Sequence, residues 1–156
     1  MGIINYEILS ASQKFYEKLG HKIIDVPWVV SNNIMNITKP EELKNKEEYY
    51  SLKYCEKSLV ASGEQSFLYM IINGQLPSGR YQTITPCFRH ENQKDLTHRK
   101  YFMKNELIIY EESGFAPLEI SCKVLVDHAI KFYEEYLGDK VSVNKISKNQ
   151  TDIECD

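Results

Sequence analysis

One segment of the chain, residues 80–111, concentrates side chains that could bind a charged ligand. Arg89 and Glu91 end a stretch that alternates like a β-strand, and Phe102 and Glu106 lie in a second such stretch beyond a polar loop. Two strands joined by a polar loop are typical of an antiparallel hairpin. A guanidinium has the planar fork that suits a phosphate, an aromatic ring can stack on a purine, and a carboxylate can accept from an exocyclic amine. The hairpin therefore predicts a surface for a nucleoside triphosphate.

Residues two apart in a strand point to the same face of a sheet. In the second strand this rule places five side chains on one face: His98, Lys100, Phe102, Lys104 and Glu106. A face with this many charges would not be buried unless each charge had a partner. The alternative is an exposed face with cross-strand ion pairs, each worth under about 1 kcal/mol. Periodicity alone leaves both interpretations open.

Length and composition indicate one globular domain spanning residues 1–156, with 42% apolar and 26% charged residues. No apolar run is long enough to span a membrane, and no secretory signal is recognisable at the N-terminus, so we expect a cytoplasmic protein without a membrane partner. A pI of 5.8 argues against a general basic surface for nucleic acid. The four cysteines and four histidines show no metal-ligand spacing.

Hydrophobic periodicity and the positions of glycine and proline predict an α+β fold with a mainly antiparallel sheet around the hairpin. The stretch 31–50 is polar and is predicted to be a surface excursion with a short helix near Pro40. The other predicted elements are helices over residues 6–19, 64–73 and 117–137, and strands over 21–30, 57–62, 80–91, 98–111, 141–146 and 151–156.

The hairpin resembles motif 2 of class II aminoacyl-tRNA synthetases, in which a strand ends in Phe-Arg-x-Glu and the next strand carries a phenylalanine and a later glutamate. Residues 85–91 (TPCFRHE) look most like the seryl branch, and residues 59–64 (LVASGE) resemble its Thr-x-Glu substrate loop with serine replacing threonine. Residues 15–27 are similar to motif 1, and residues 151–154 (TDIE) resemble a Tyr-Asp-hydrophobic-Glu strand. The resemblance covers most of the chain and implies a class II synthetase-like antiparallel sheet flanked by helices.

The resemblance implies an ATP site, with Mg²⁺ as the usual companion of ATP. Arg89 would contact the α-phosphate as pyrophosphate leaves, Phe102 would stack on adenine, and Glu91 would accept from the adenine amino group. His98 and Lys100 would face the triphosphate. His98 stands where the family usually has an arginine, and a neutral imidazole is a weaker phosphate ligand than a guanidinium.

The resemblance also implies a site for a small amino acid. Ser62, Glu64 and Glu106 would surround its ammonium, which needs carboxylates because an unpaired cation in a closed site is costly. In the family reaction the amino-acid carboxylate attacks the α-phosphate, and the protein positions the reactants and stabilises charge. The chain would then be a ligase of the aminoacyl-tRNA synthetase type, and the resemblance also implies a homodimer through motif 1.

Motif 3, a glycine-rich strand and helix with an arginine, is not found in the 156 residues, and neither is a tRNA-binding domain. We therefore expect a degenerate or truncated relative, or one whose missing strands come from another chain. The leading interpretation is a seryl-like protein that binds ATP and a small amino acid and forms an aminoacyl-adenylate. The alternatives are a non-catalytic paralogue that binds a partner protein or RNA, and a ligase that loads a carrier protein. The sequence leaves open which amino acid binds and whether its acceptor is tRNA, a carrier protein or none.

Overall fold

The computed structural model describes residues 4–39, 50–52, 54–89, 99–113, 118–138, 141–147 and 150–155. Helices and strands follow one another along this part of the chain in this order: α1 (Tyr6–Lys18), β1 (Lys22–Ile23), β2 (Val29–Ser31), α2 (Asn32–Thr38), β3 (Lys57–Leu59), α3 (Gly63–Ile72), β4 (Gly79–Phe88), β5 (Tyr101–Tyr110), α4 (Leu118–Leu137), β6 (Val141–Ser147) and β7 (Gln150–Cys155).

The central sheet has the strand order β1-β4-β5 and is built around the predicted hairpin. β4 and β5 pair antiparallel over ten residues each, from Gly79 opposite Tyr110 to Phe88 opposite Tyr101. β1 adds to β4 as a short parallel strand. Two further antiparallel pairs, β2 with β3 and β6 with β7, lie outside this sheet. The predicted α+β fold with an antiparallel-rich sheet and flanking helices is confirmed.

One face of the hairpin carries Phe102, Lys104 and Glu106, because residues directly opposite each other in an antiparallel pair share a face. Their partners across the ladder are Cys87, Thr85 and Thr83, in that order. Helix α3 covers the same face further along, where its fully buried Phe67 packs with Tyr81 and Ile108. The hairpin face is thus divided between a packed apolar end and a polar end that begins at Glu106.

The opposite face of the hairpin is covered by α1 and α4, which meet through aromatic rings. The Phe132 ring lies 5.5 Å from those of Phe15 and Tyr16. The buried Gln82 donates from Nε2 to the backbone carbonyls of Gln13 and His21, at 3.0 Å each. Because a buried amide must satisfy its hydrogen bonds, these contacts position α1 on the sheet.

Glycine follows the ends of two helices, as the sequence predicts, and an asparagine side chain caps the start of one of them. Asn5 caps α1 by accepting from the backbone nitrogen of Ile8 at 3.1 Å, and Gly20 follows the helix with φ +87°. Gly138 ends α4 in the same way with φ +69°. Glycine suits both positions because a side chain is strained in the left-handed region.

Two predictions about the N-terminal third are wrong. The stretch after Ser31 does not begin as a surface excursion, because α2 buries Ile34 and Met35 against Val30 and Val60. The asparagines on either side of Ile34 and Met35 make the stretch look polar in sequence, so this short apolar pair was not predicted to be buried. The predicted strand over 21–30 is two short strands in different sheets, with Pro27, which has no backbone donor, between them. The short helix predicted near Pro40 lies outside the described residues.

Among the described residues, no helix combines the length and apolar character needed to cross a membrane.

Candidate functional site

The loop between β3 and α3 is fastened to the end of β4. The backbone nitrogen of Phe88 donates to the carbonyl of Val60 at 2.8 Å. The next side chain, Arg89, donates from Nε to the carbonyl of Ala61 at 3.3 Å. These contacts bring the predicted substrate loop beside Arg89, the side chain predicted to bind phosphate.

A capping box holds this loop at the start of α3. Ser62 is the N-cap residue, and its Oγ accepts from the backbone nitrogen of Glu64 at 3.4 Å. The buried Gln65 returns the contact, since its Oε1 accepts from the backbone nitrogens of Ala61 and Ser62 at 2.9 and 2.8 Å. The other end of the same amide donates to Thr38 Oγ1 on α2 at 2.9 Å. The backbone around Ser62 is therefore fixed by a buried side chain.

Glu106 receives two contacts on one carboxylate oxygen. Ser62 Oγ donates to Oε2 at 3.1 Å, and Lys104 Nζ lies 2.9 Å from the same atom. The start of α3 approaches β5 closely because residue 63 is glycine: a Cβ there would lie 2.9 Å from Glu106 Cβ and 3.0 Å from Thr85 Cγ2. The positive end of the α3 dipole favours a carboxylate at this position.

Glu64 adds a second carboxylate to this cluster. Its side chain is exposed, yet its pKa lies above the ordinary value, first because neighbouring protein desolvates the carboxyl group and second because Glu106 is negatively charged. Lys104 acts on this pKa in the opposite direction. Such an excess of negative charge is what a cationic group on a ligand would neutralise.

Cys87 lies on the same hairpin face, directly opposite Phe102 in the ladder. It is fully buried, and burial raises the pKa of its thiol to about 11. Lys104 and Arg89 lower that pKa, but their effect is smaller than the effect of burial. Because the thiolate is the nucleophile, this protonated thiol is not suited to covalent catalysis at neutral pH.

Arg89 and Phe102 meet where β4 ends and β5 begins. The guanidinium carbon of Arg89 lies 5.1 Å from the centre of the Phe102 ring, which is cation–π distance. The backbone nitrogen of Arg89 donates to the carbonyl of Lys100 at 2.9 Å and extends the ladder beyond β4. Arg89 and Lys100 are exposed, and Phe102 is half-buried.

The predicted site residues therefore fall into two groups on one face. Arg89, Lys100 and Phe102 lie at the end of the hairpin, and the amino-acid residues Ser62, Glu64 and Glu106 lie beside them at the start of α3. Glu91 and His98 lie outside the described residues, so their predicted roles are not tested by these contacts.

Sequence reasoning did not assign a site role to Lys104 or Gly63. Lys104 was placed on the correct face, two residues before Glu106, and that spacing was the available signal for an ion pair. Nothing in the sequence indicated that Gly63 would lie against β5, because that contact joins residues far apart in the chain. In the part of the chain that the structure describes, no group of three His, Cys, Asp or Glu side chains is placed to hold a metal ion.

Comparison of the sequence with protein-family models and with curated proteins gives no match. Comparison of the fold with solved structures gives many matches. The chain is similar to pyrrolysyl-tRNA synthetase from Desulfitobacterium hafniense, at 18% identity over 96% of this chain and 54% of that one, with a TM-score of 0.69. A second structure from that organism, also described as a pyrrolysyl-tRNA synthetase, gives a TM-score of 0.67 at 18% identity and covers 96% of this chain and 51% of that one.

The chain is also similar to the cytoplasmic serine-tRNA ligase of Naegleria fowleri in complex with AMP, at 18% identity and a TM-score of 0.71. That match covers 95% of this chain and 38% of that one. The chain thus spans about half the length, or less, of the structures it resembles. At this identity the likeness shows the fold alone: the chain has the fold of class II aminoacyl-tRNA synthetase catalytic domains.

Proposed function

We propose that this chain is a class II aminoacyl-tRNA synthetase-like protein that binds ATP and a small amino acid side by side on the hairpin face. The observation that carries the proposal is the link through the substrate loop. Arg89 donates to the carbonyl of Ala61, and the next residue, Ser62, donates to Glu106. Two adjacent residues of one loop therefore contact the side chain proposed to bind phosphate and a carboxylate proposed to bind ammonium.

In the proposed complex, Phe102 would stack on adenine and Glu91 would accept from its amino group, as the resemblance implies. Arg89 would contact the α-phosphate, with Lys100 and His98 nearer the rest of the triphosphate. Because the Arg89 guanidinium lies over the Phe102 ring, nucleotide binding would require it to turn toward the phosphates. Mg²⁺ would accompany ATP as its usual counter-ion.

The amino acid would place its ammonium among Ser62, Glu64 and Glu106 and its carboxylate toward Arg89. This orientation pairs each charged end with the opposite charge. A carboxylate oxygen held beside the α-phosphorus could attack it, forming the mixed anhydride of an aminoacyl-adenylate and releasing pyrophosphate. The residues would act by positioning and by charge stabilisation rather than by a covalent step.

Calorimetry with ATP and Mg²⁺ tests the nucleotide part of the proposal. We expect Arg89→Ala to weaken ATP binding by about tenfold or more, since a hydrogen bond to a charged group contributes about 1.5–3 kcal/mol. Arg80→Ala is the matched control, because Arg80 lies on β4, the strand that Arg89 follows, but on the opposite face of the hairpin. Equal effects of the two substitutions, or no ATP binding by the wild-type chain, would contradict the proposal.

The second candidate function is a binding module that holds its ligands without adenylation. The observation that favours it is His98, which stands where the family usually has an arginine for the triphosphate. Losing one charge contact in a transition state typically costs about 10²–10³ in rate. We therefore expect amino-acid-dependent pyrophosphate exchange by this chain to be very slow even where ATP binds. An exchange rate of about one per second, an ordinary enzymatic value, that Arg89→Ala abolishes would establish the ligase and reject the module.

The proposal extends to the assembly and the acceptor. A homodimer through residues 6–27 is proposed from the motif 1 resemblance, and Ile23 of that segment is exposed in the single chain. An adenylate-forming chain would pass the amino acid to tRNA or to a carrier protein. Transfer of labelled amino acid to total tRNA, or to a phosphopantetheine-bearing carrier, would distinguish these acceptors.

A further inference from the structure

Lys104 places a cation inside the cluster that is proposed to receive the substrate ammonium. Its Nζ lies 2.9 Å from Glu106 Oε2, the oxygen that also accepts from Ser62 Oγ at 3.1 Å. A ligand ammonium that contacted Ser62 and Glu106 would approach the same oxygen. Two cations at one carboxylate oxygen repel each other, so the ligand and Lys104 cannot both bind it at full strength.

The charges of the cluster leave one negative charge that an added cation could balance. Glu64 and Glu106 supply two negative charges and Lys104 supplies one positive charge, which leaves a net charge of −1 when both carboxyl groups are ionised. The pKa of Glu64 lies above its ordinary value, first because its carboxyl group is desolvated and second because Glu106 is negatively charged, and Lys104 acts to lower it. A ligand ammonium is therefore attracted to the cluster even while Lys104 contacts Glu106.

We propose that Lys104 is a specificity-determining residue of this site: it competes with the ligand ammonium for Glu106 and so sets how tightly a molecule with a single ammonium group is bound. This inference rests on the proposed function, because it assumes that the ligand ammonium enters beside Ser62 and Glu106. When a ligand binds, Lys104 gives up its contact with Oε2. Its side chain is 44% exposed, so the released ammonium can be solvated.

The exposure of Lys104 also limits the size of the effect. Partly exposed ion pairs contribute about 0.2–1 kcal/mol. Removing this competitor is therefore expected to tighten ammonium binding by about 1.4-fold to fivefold at low salt. The effect should shrink as salt is added, because salt screens exposed charges.

The test measures the affinity of the wild-type chain, Lys104→Met and Lys104→Arg for serine and for ethanolamine. Ethanolamine is serine without its carboxylate, so it reports on the ammonium alone. We expect Lys104→Met to bind both probes about 1.4-fold to fivefold more tightly than the wild type does, and Lys104→Arg, which keeps the charge, to resemble the wild type. Thermal unfolding of each variant confirms that the fold is intact, and repetition at high salt should abolish the gain.

Each other outcome overturns the inference in a recognisable way. If Lys104→Met weakens serine binding but leaves ethanolamine unchanged, Lys104 binds the ligand carboxylate and is not a competitor for Glu106. If the wild type binds serine and Lys104→Met binds it equally well, the inference is wrong and the proposed function stands. If neither the wild type nor Lys104→Met binds serine, the amino-acid part of the proposed function fails together with the inference.

Discussion

The guanidinium of Arg89 lies over the ring of Phe102, with its central carbon 5.1 Å from the ring centre. These residues come from different strands, and the ladder contact from the Arg89 nitrogen to the Lys100 carbonyl aligns them. The ring proposed for the base is therefore in contact with the cation proposed for the phosphates before any ligand binds. An exposed cation–π contact contributes only about 0.5–1 kcal/mol, so a stacked base can replace it.

Removing the Phe102 ring should weaken ATP binding. We expect Phe102→Ala to lower the affinity from a few-fold to tens-fold, in line with about 1–3 kcal/mol for stacking on one base. Tyr101→Ala is the matched control, because Tyr101 is an exposed aromatic residue next in the chain but on the other face of β5. Calorimetry that gives the same affinity for Phe102→Ala and Tyr101→Ala would exclude Phe102 as the stacking residue.

Adenine should be preferred over guanine if Glu91 has its predicted role. Glu91 can accept a hydrogen bond from the adenine amino group, whereas guanine presents a carbonyl oxygen at the same position. We expect ATP to bind more tightly than GTP, and Glu91→Gln to reduce the difference. Competition between the two nucleotides for a fluorescent ATP analogue measures it. Equal affinities in the wild type would show that the Glu91 assignment is wrong.

The pKa of Glu64 predicts opposite effects on stability and on binding. A folded-state pKa above the unfolded one means that ionising Glu64 disfavours the folded chain, so the free energy of unfolding falls as the pH rises through the titration of this group. Glu64→Gln should therefore leave stability at pH 7 unchanged or raise it by up to about 0.5 kcal/mol, as for other exposed substitutions. The same variant should bind ethanolamine more weakly because the cluster loses a negative charge. Tighter binding by Glu64→Gln would contradict the proposed ammonium site.

Gly63→Ala should disturb the site through crowding. The added Cβ would lie 2.9 Å from Glu106 Cβ, so Glu106 or the start of α3 must shift, at a cost of about 1–3 kcal/mol. Urea unfolding measures the loss of stability, and calorimetry should show weaker ethanolamine binding. Gly138→Ala is the control, since its added Cβ meets nothing within 4 Å and its cost comes from φ +69° alone. The control should lose stability and keep its affinity; an unchanged affinity in Gly63→Ala would separate this glycine from the site.

The contact between His21 and His128 predicts acid lability. His21 Nε2 and His128 Nδ1 lie 3.0 Å apart, so at least one ring must be neutral there. Burial is the largest cause that lowers the pKa of both residues below the ordinary 6.5, and the positive charge of Arg80 lowers both pKa values further. For His21, a hydrogen bond with the Tyr81 backbone partly opposes the lowering. For His128, Lys131 adds to the lowering and Asp127 partly opposes it. Because the unfolded chain binds these protons more readily, stability should be full above about pH 6.5 and decrease as the pH falls below it.

Unfolding by urea between neutral and mildly acidic pH measures this dependence. At neutral pH, His128→Asn should lower stability by about 1 kcal/mol, the usual contribution of one hydrogen bond. The same variant should show a flatter decline toward acid, because it removes one of the two titrating rings. An identical acid decline in His128→Asn and the wild type would exclude the pair as its cause.

Residues with local signals were predictable from the sequence. Alternation and a polar loop were enough for the β4–β5 hairpin and for the face shared by Phe102 and Glu106, because the period of a strand depends only on its own residues. Gly20 and Gly138 marked helix ends for the same local reason. The division of residues 21–30 between two sheets was not predictable, since it depends on which distant strand each part pairs with.

Only the tertiary structure decided what fills the site. The family resemblance implies that Ser62 and Glu106 share one site, but their hydrogen bond spans forty-four residues and depends on the packing of α3 against β5. The position of Lys104 Nζ on Glu106 Oε2 is likewise a choice among side-chain rotamers that the local sequence leaves open. The amino-acid sequence alone therefore determined which chemical groups share a strand face. The tertiary structure decided which of them touch, because close contacts between distant segments form only when the helices pack against the sheet.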